Sequence, residues 1–208
     1  MKIWTLPNTL TILRLLAAAG VPVMFLYFTR PWADFLALAL FVGAAVTDWF
    51  DGYLARLWKQ ESHFGAMLDP IADKAMVVIA IMVITGYSGM NPWLILPATV
   101  ILFREVFVSG LREYLGDKAG LLKVTKLAKW KTTAQMVAIA VLFMGTGLTL
   151  MEDGRPPRVG HSILPDDLGW ASVATYSGLV LIWIAAVLTA ITGWDYFAKS
   201  MPYLKGNK

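Results

Sequence analysis

Long apolar segments dominate this sequence and constrain its fold more than any other feature. A helix that crosses the hydrocarbon core of a bilayer needs roughly 20 mostly apolar residues. Six such segments occur, at about 8–28, 33–56, 64–87, 92–114, from near 129 with no charge over 132–151, and at 168–194. We therefore predict an all-α, polytopic membrane protein with six transmembrane helices, forming a single domain over residues 1–208.

The composition agrees with a membrane protein. The chain is 58% hydrophobic and 15% charged, whereas soluble domains carry about a quarter charged residues. It has no cysteine, which excludes disulfides and thiolate zinc sites. The net charge of +4 does not indicate nucleic acid, because most basic residues lie in short loops and at helix ends. Residues 1–6 form a short amphipathic segment that we expect on the membrane surface.

The distribution of basic residues predicts the orientation. With six spans, both termini lie on one face, and most loop cations lie there too. They are Lys2, Arg56, Lys59, Lys118, Lys123, Lys126, Lys129, Lys199, Lys205 and Lys208. The other face has only Arg30, Arg155 and Arg158. The positive-inside rule therefore places both termini in the cytoplasm.

Charged residues inside the predicted spans indicate a functional site. They are Arg14, Asp48, Asp51, Asp69, Asp73, Lys74, Arg104, Glu105, Arg112 and Lys131. An ionisable group at membrane depth costs at least about 2.5 kcal/mol unless it is paired or solvated. Because the topology puts most of them in the cytoplasmic half, we predict one polar cavity that opens to the cytoplasm among six helices. We expect Lys74 to point away from Asp73 on its helix.

Four aspartates lie on two consecutive helices joined by a short loop. Asp48 and Asp51 share a face of one helix, and Asp69 and Asp73 share a face of the next. Their mutual repulsion in a low dielectric would require metal, and carboxylate oxygens suit Mg²⁺, Mn²⁺ or Ca²⁺. Four carboxylates can hold two ions that bridge a pyrophosphate. Small residues on the same faces leave room for a ligand, namely Gly52, Ala55 and Gly65.

Two other interpretations of these carboxylates remain open. They could be helix-end groups in water, although Asp48 and Asp51 close a helix, where the helix dipole opposes them. A divalent-cation channel or transporter would also place carboxylates between helices. A channel or transporter would not obviously need Gly52, Arg56 and the basic cluster on the same side.

The pattern Asp-x2-Asp-Gly-x2-Ala-Arg-x8-Gly-x3-Asp-x3-Asp begins at Asp48 and ends at Asp73. It resembles the signature of the CDP-alcohol phosphatidyltransferase family at every fixed position. The resemblance implies six helices, two bound metal ions, and transfer of a phosphatidyl group from CDP-diacylglycerol with release of CMP. It implies that the four aspartates bind metal, that Asp73 is also the general base, and that Gly52, Arg56 and Ser62 contact the CDP moiety. A homodimer in a bacterial cytoplasmic membrane is implied as well.

Further segments resemble family members that use glycerol 3-phosphate as the acceptor. These segments are 7–14, 104–105, 109–113 and 129–136, and more weakly 193–196. The loop at 151–168 matches nothing that we recognise. Other acceptors, such as inositol phosphate, serine, choline or a phospholipid, remain open, because the signature does not determine the acceptor pocket.

A glycerol 3-phosphate acceptor is a dianion and needs cations. Arg112 and Lys131, at the ends of neighbouring helices, are the first candidates, since arginine donates two parallel hydrogen bonds to phosphate. We add Lys129, Arg104 and Arg14. The lysines could instead only set topology, and Arg104 could pair with Glu105.

The CDP-binding set also has further members. We assign Gly65, Asn8 and Thr11 to it. Asn8 and Thr11 could instead cap the first helix.

Overall fold

A computed structural model describes residues 5–58, 62–116, 126–154 and 169–204. Within these ranges it does not describe the side chains of residues 49, 51–58, 126, 128, 129 and 153. The described residues form six α-helices and no β-strand. The helices are α1 (Leu6–Tyr27), α2 (Trp32–Trp58), α3 (His63–Tyr87), α4 (Pro92–Leu115), α5 (Lys126–Asp153) and α6 (Trp170–Leu204).

Local signals set most of the helix ends. Thr5 caps α1 and Ser62 caps α3, each with a side-chain oxygen that accepts a backbone N–H three residues on. Asn91 caps α4, whose first residue is Pro92. Gly116 ends α4 with a φ of 52°, a conformation that glycine adopts without strain. The bounds therefore fall close to those predicted from the apolar segments, and α6 continues ten residues past Trp194.

Four of the helices are long and apolar enough to cross a membrane: α1, α4, α5 and α6. The remaining two, α2 and α3, carry the four aspartates. Large apolar side chains cover much of the outside, including Leu26, Phe103 and Val106, which are each about 70% exposed. Soluble proteins rarely expose apolar patches of this extent, so a bilayer is the solvent that suits this surface. The predicted segment at residues 1–6 lies mostly outside the described residues.

The helices pack around one apolar core. Its fully buried side chains include Phe41, Phe143, Met76, Ile101 and Ile139. The most extensive helix pair is α5 with α6, and α1 packs on both α2 and α3. On the other side, α4 packs on α6 and α2 packs on α5. This arrangement leaves the polar residues of α1, α3, α4 and α5 to meet at one end of the bundle.

A buried ion pair holds the opposite end, where α1 turns into α2. Asp34 is fully buried, and Arg30 donates to both of its carboxylate oxygens at 2.8 and 2.5 Å. Thr146 of α5 donates to the same carboxylate at 2.7 Å. The Arg30 guanidinium also lies 4.9 Å from the ring centre of Tyr87, a cation–π distance. Arg30 lies in the turn before α2, as the sequence predicts, whereas the charges predicted inside the spans do not include Asp34.

Candidate active site

The polar face of α1 brings three of the predicted metal ligands together. Arg14 Nη1 lies 2.7 Å from Asp48 Oδ1 of α2 and 3.1 Å from Asp73 Oδ1 of α3. One turn earlier, the Thr11 hydroxyl donates to Asp69 Oδ1 at 2.7 Å. Thr11 and Arg14 are three residues apart, and Asp69 and Asp73 are four apart, so each pair shares a helix face. The packing of α1 on α2 and α3 therefore creates the cluster.

The cluster carries an excess of negative charge that solvent and ligands can reach. Two of the carboxylates, Asp48 and Asp73, share the guanidinium of Arg14, whose side chain is only 2% exposed, and Asp69 accepts from Thr11 beside them. The Asp48 and Asp73 side chains are 41% and 51% exposed. Carboxylates at this spacing in a low-dielectric surrounding repel one another, and exposed carboxylate oxygens favour a hard divalent cation. The donor set therefore suits Mg²⁺ or Mn²⁺.

The fourth predicted ligand cannot be placed in this geometry. Asp51 lies on α2, one turn after Asp48, and its side chain is outside the described residues, as are those of Gly52, Arg56 and Lys129. Among the side chains that the structure does describe, no three acidic or histidine residues surround a common metal position.

Asn8, Ser62 and Gly65 of the predicted CDP-binding set meet where α1 crosses the start of α3. The Ser62 hydroxyl donates to Asn8 Oδ1 at 2.9 Å and accepts from the Gly65 backbone N–H at 3.0 Å. A Cβ on Gly65 would lie 2.7 Å from Asn8 Oδ1. The sequence prediction that Gly65 leaves space for a ligand therefore needs correction, because Asn8 fills that space and the glycine permits the helices to approach.

A polar cavity adjoins the carboxylate cluster. Its volume is ≈ 260 Å³, and Asp73 forms part of its wall. The other side chains around it come from α3, α4 and α5. They are Pro70, Lys74, Val77, Arg104, Glu105, Val108, Ser109, Arg112, Lys131, Thr132 and Gln135. Four cations thus line one cavity with two carboxylates, which makes it a suitable place for an anionic group beside the aspartates.

Glu105 organises the cations of the cavity. It accepts a hydrogen bond from Lys131 Nζ of α5 and lies 3.2 Å from Arg104 Nη1. Lys74 Nζ donates to Ser109 Oγ at 2.5 Å, and Ser109 Oγ donates to the Glu105 carbonyl at 2.5 Å. The predicted pairing of Arg104 with Glu105 is present, and Arg104 also faces the cavity. These contacts fix the directions of long cationic side chains that would otherwise be mobile.

The structure corrects two further expectations and adds residues that sequence reasoning did not assign. Lys74 lines the same cavity as Asp73 instead of pointing away from it, because its long side chain reaches towards Ser109 of α4. Ser109 and Gln135 also lie at the cavity. The sequence could have predicted the cavity position of Lys74, because a lysine at membrane depth requires a polar partner. Arg14, predicted to bind the acceptor phosphate, instead contacts the aspartates.

Comparison with known proteins identifies the family of the chain. The family model for CDP-alcohol phosphatidyltransferase matches residues 4–191. The chain is 68% identical to the CDP-diacylglycerol–glycerol-3-phosphate 3-phosphatidyltransferase of Cereibacter sphaeroides, over 99% of both chains. It is 40% identical to the enzyme of that name from Rickettsia bellii, over 95% of this chain and 96% of the relative. The Escherichia coli enzyme of that name is 37% identical, over 94% of both chains. The chain belongs to the CDP-alcohol phosphatidyltransferase family.

Proposed function

We propose that this protein transfers the phosphatidyl group of CDP-diacylglycerol to glycerol 3-phosphate, producing phosphatidylglycerol phosphate and CMP. The observation that carries the proposal is the cavity in which Asp73 lies beside Lys74, Arg104, Arg112 and Lys131. An acceptor that is itself a phosphate dianion explains such a concentration of cations next to carboxylates. The names of the relatives support the same acceptor.

The acceptor would bind with its phosphate among the cavity cations and its hydroxyl towards Asp73. Arg112 can donate two parallel hydrogen bonds to the phosphate, and Lys131 adds charge from α5. Asp73, half exposed at the cavity wall, accepts the hydroxyl proton as the acceptor oxygen attacks the β-phosphorus. The new oxygen–phosphorus bond forms while the bond to CMP breaks, and CMP leaves with the bonding electrons.

Divalent ions belong to this proposal as well. Asp48, Asp51, Asp69 and Asp73 would hold two of them, and the all-oxygen donor set suits Mg²⁺ or Mn²⁺. Ions held there would neutralise the pyrophosphate and stabilise the CMP leaving group. The excess of carboxylates over guanidinium at Arg14 supports this assignment. Gly52, Arg56, Ser62, Gly65, Asn8 and Thr11 remain the proposed CDP-binding residues.

The same proposal includes the membrane arrangement. All six helices would span a bacterial cytoplasmic membrane, with both termini and the cavity on the cytoplasmic side, and the chain would form a homodimer. Lipid tails would then stay in the bilayer while the CDP group and the acceptor enter from the cytoplasm. The basic residues near the cavity end of the bundle support this orientation, and the homodimer rests on the family resemblance.

An acceptor panel tests the proposal. Purified protein in detergent micelles receives CDP-diacylglycerol, Mg²⁺ and one acceptor at a time, and CMP release is measured. We expect turnover with glycerol 3-phosphate and little with glycerol, serine, choline or inositol phosphate. A preference for another of these would change the acceptor. Metal flux into liposomes without CMP release would instead favour a transporter.

Arg112→Ala gives the matching test of the cavity. Loss of a charge-assisted contact worth roughly 1.5–3 kcal/mol should lower kcat/KM for glycerol 3-phosphate about 10- to 150-fold. The KM for CDP-diacylglycerol should change little, and Arg112→Lys should recover only part of the loss, since a point charge cannot replace the guanidinium fork. An equal loss for both substrates would remove Arg112 from the acceptor site.

A further inference from the structure

One turn of α6 packs against the face of α4 that carries two of the cavity arginines. The turn runs from Gly193 to Tyr196. This segment carries the weaker family resemblance noted in the sequence, and the proposed chemistry does not use it. Both residues are buried, and they lie three positions apart, on one face of α6. Gly193 contacts Arg104 and Tyr196 contacts Arg112, which lies about two turns further along α4.

Gly193 provides the space through which the Arg104 side chain passes. A Cβ at position 193 would lie 2.9 Å from Arg104 Cγ. Because Cγ is close to the backbone, Arg104 could relieve this contact only by changing rotamer. That change would take its guanidinium away from Glu105, to which Arg104 Nη1 is now 3.2 Å distant. The absence of a side chain at 193 thus determines where Arg104 points.

Tyr196 supplies a fixed surface for Arg112. The guanidinium carbon lies 5.6 Å from the centre of the tyrosine ring, within the range of a cation–π contact. The ring is 8% exposed and packs in a small apolar cluster with Val108 and Leu115 of α4. Its buried hydroxyl has no hydrogen-bond partner within the described part of the chain. The ring, rather than the hydroxyl, is therefore what Arg112 uses.

We propose that Gly193 and Tyr196 are positioning residues that direct Arg104 and Arg112 into the cavity and so set the affinity for the anionic acceptor. This inference rests on the proposed function, in which the cavity holds the acceptor phosphate. An arginine that is already held in its binding direction loses less side-chain entropy when the phosphate arrives. Helix α6 therefore contributes to acceptor recognition without contacting the acceptor.

Substitutions at Tyr196 test the aromatic contact. Tyr196→Leu should raise the KM for glycerol 3-phosphate roughly 2- to 30-fold, the range of a cation–π contact, while the KM for CDP-diacylglycerol stays the same. Tyr196→Phe keeps the ring and removes only the unpartnered hydroxyl, so its KM should stay within about twofold of the wild type. If Leu and Phe behave alike, or if Leu raises both KM values equally, the positioning role of Tyr196 is wrong.

A double-mutant cycle tests Gly193 independently, including the case in which Tyr196→Leu fails to fold. Gly193→Ala should raise the KM for glycerol 3-phosphate, and Gly43→Ala, at a helical glycine with open space around it, should not. In the Arg104→Ala background the close Cγ is absent, and the nearest remaining atoms would lie no closer to the added Cβ than about 3.9 Å, an ordinary contact. Gly193→Ala should then have no further effect on KM.

The outcomes separate this inference from the proposed function. An effect of Gly193→Ala that persists in the Arg104→Ala background would mean that it acts through helix packing, which would overturn the role of Gly193. If Arg112→Ala raises the KM for glycerol 3-phosphate but the α6 variants do not, only the positioning inference fails. If Arg112→Ala has no effect on that KM, the acceptor cavity itself is wrong.

Discussion

Arg14 shows how one side chain can belong to a different part of a site from the one that its type suggests. Arginine favours phosphate, and the sequence placed Arg14 with the acceptor-binding residues. In the structure its guanidinium bridges Asp48 and Asp73 from the buried face of α1. A single cation cannot neutralise three carboxylates, so Arg14 offsets only part of their repulsion, and the proposed divalent ions would offset the remainder.

Asp69→Asn tests the carboxylate cluster at the scale of one residue. The substitution keeps the size of the side chain and an oxygen that can accept from Thr11, whose hydroxyl now donates to Asp69 at 2.7 Å. It removes one negative charge from the proposed metal site. Since even neighbours of metal ligands contribute 10- to 100-fold to activity, we expect kcat to fall about 100-fold or more. Titration of activity with Mg²⁺, and of Mn²⁺ binding by electron paramagnetic resonance, measures the change.

Asp195→Asn is the matched control for that experiment. Asp195 is an aspartate of α6 that pairs with Lys199 at 2.6 Å, and both side chains are 41% exposed. It should keep near-normal turnover and Mg²⁺ dependence, because exposed pairs contribute little. Near-normal turnover of Asp69→Asn with Mg²⁺ present would show that the metal assignment is wrong.

At the scale of the elements, glycines govern the contact between α5 and α6. A Cβ on Gly145 would lie 2.8 Å from Thr175 Oγ1 and 3.1 Å from the Thr175 backbone nitrogen. A Cβ on Gly178 would lie 2.9 Å from two carbons of the Leu142 side chain. Helices in membranes associate largely through close packing of small residues. The two glycines therefore set the distance between α5 and α6. Because Lys131 lies on α5, they also help to fix its position.

Gly145→Ala and Gly178→Ala should therefore destabilise the protein. Overpacking typically costs about 1–3 kcal/mol, more than the gain of up to about 1 kcal/mol from the better helix propensity of alanine. Gly145 should be the more sensitive position, because a backbone atom cannot move aside. The measurement is Tm in detergent, with Gly43→Ala as the control, since nothing lies within 4 Å of a Cβ there. An unchanged or raised Tm for Gly145→Ala would contradict the described packing.

At the scale of the whole molecule, the two ends of the bundle differ in kind. One end holds the buried ion pair of Arg30 with Asp34, and Thr146 donates a hydrogen bond to the same carboxylate. The other holds exposed carboxylates and a polar cavity. The buried pair links the start of α2 to α5, while the carboxylates at the other end are open to solvent. The proposed orientation would expose the cavity end to the cytoplasm.

Single cysteines can test that orientation, because the chain contains none. Met90→Cys lies in the turn between α3 and α4, where Met90 is 69% exposed. It should react with an impermeant maleimide added to intact cells. His63→Cys, at the exposed start of α3, should react only after permeabilisation. The reverse labelling pattern would overturn the orientation and move the cavity to the outer side.

The family and the helix bounds could be predicted from the sequence because both depend on local patterns. Hydropathy over about 20 residues, caps such as Thr5 and Asn91, and the spacing from Asp48 to Asp73 all act within one or two helices. The family match over residues 4–191 confirms the resemblance. Within the described residues, four of the six predicted spans are long and apolar enough to cross a membrane, and the other two stay predictions.

The partners of the charged side chains were decided only by the tertiary structure. Periodicity assigns Lys74, Glu105 and Arg14 to a helix and a face, but not to a neighbour. Lys74 reaches Ser109, Glu105 bonds Lys131, and Arg14 contacts Asp48 and Asp73, in each case across a helix boundary. Such contacts depend on which helices pack together and at what depth. A long side chain can reach several polar groups, and the packing of the helices determines which of them lies within hydrogen-bonding distance.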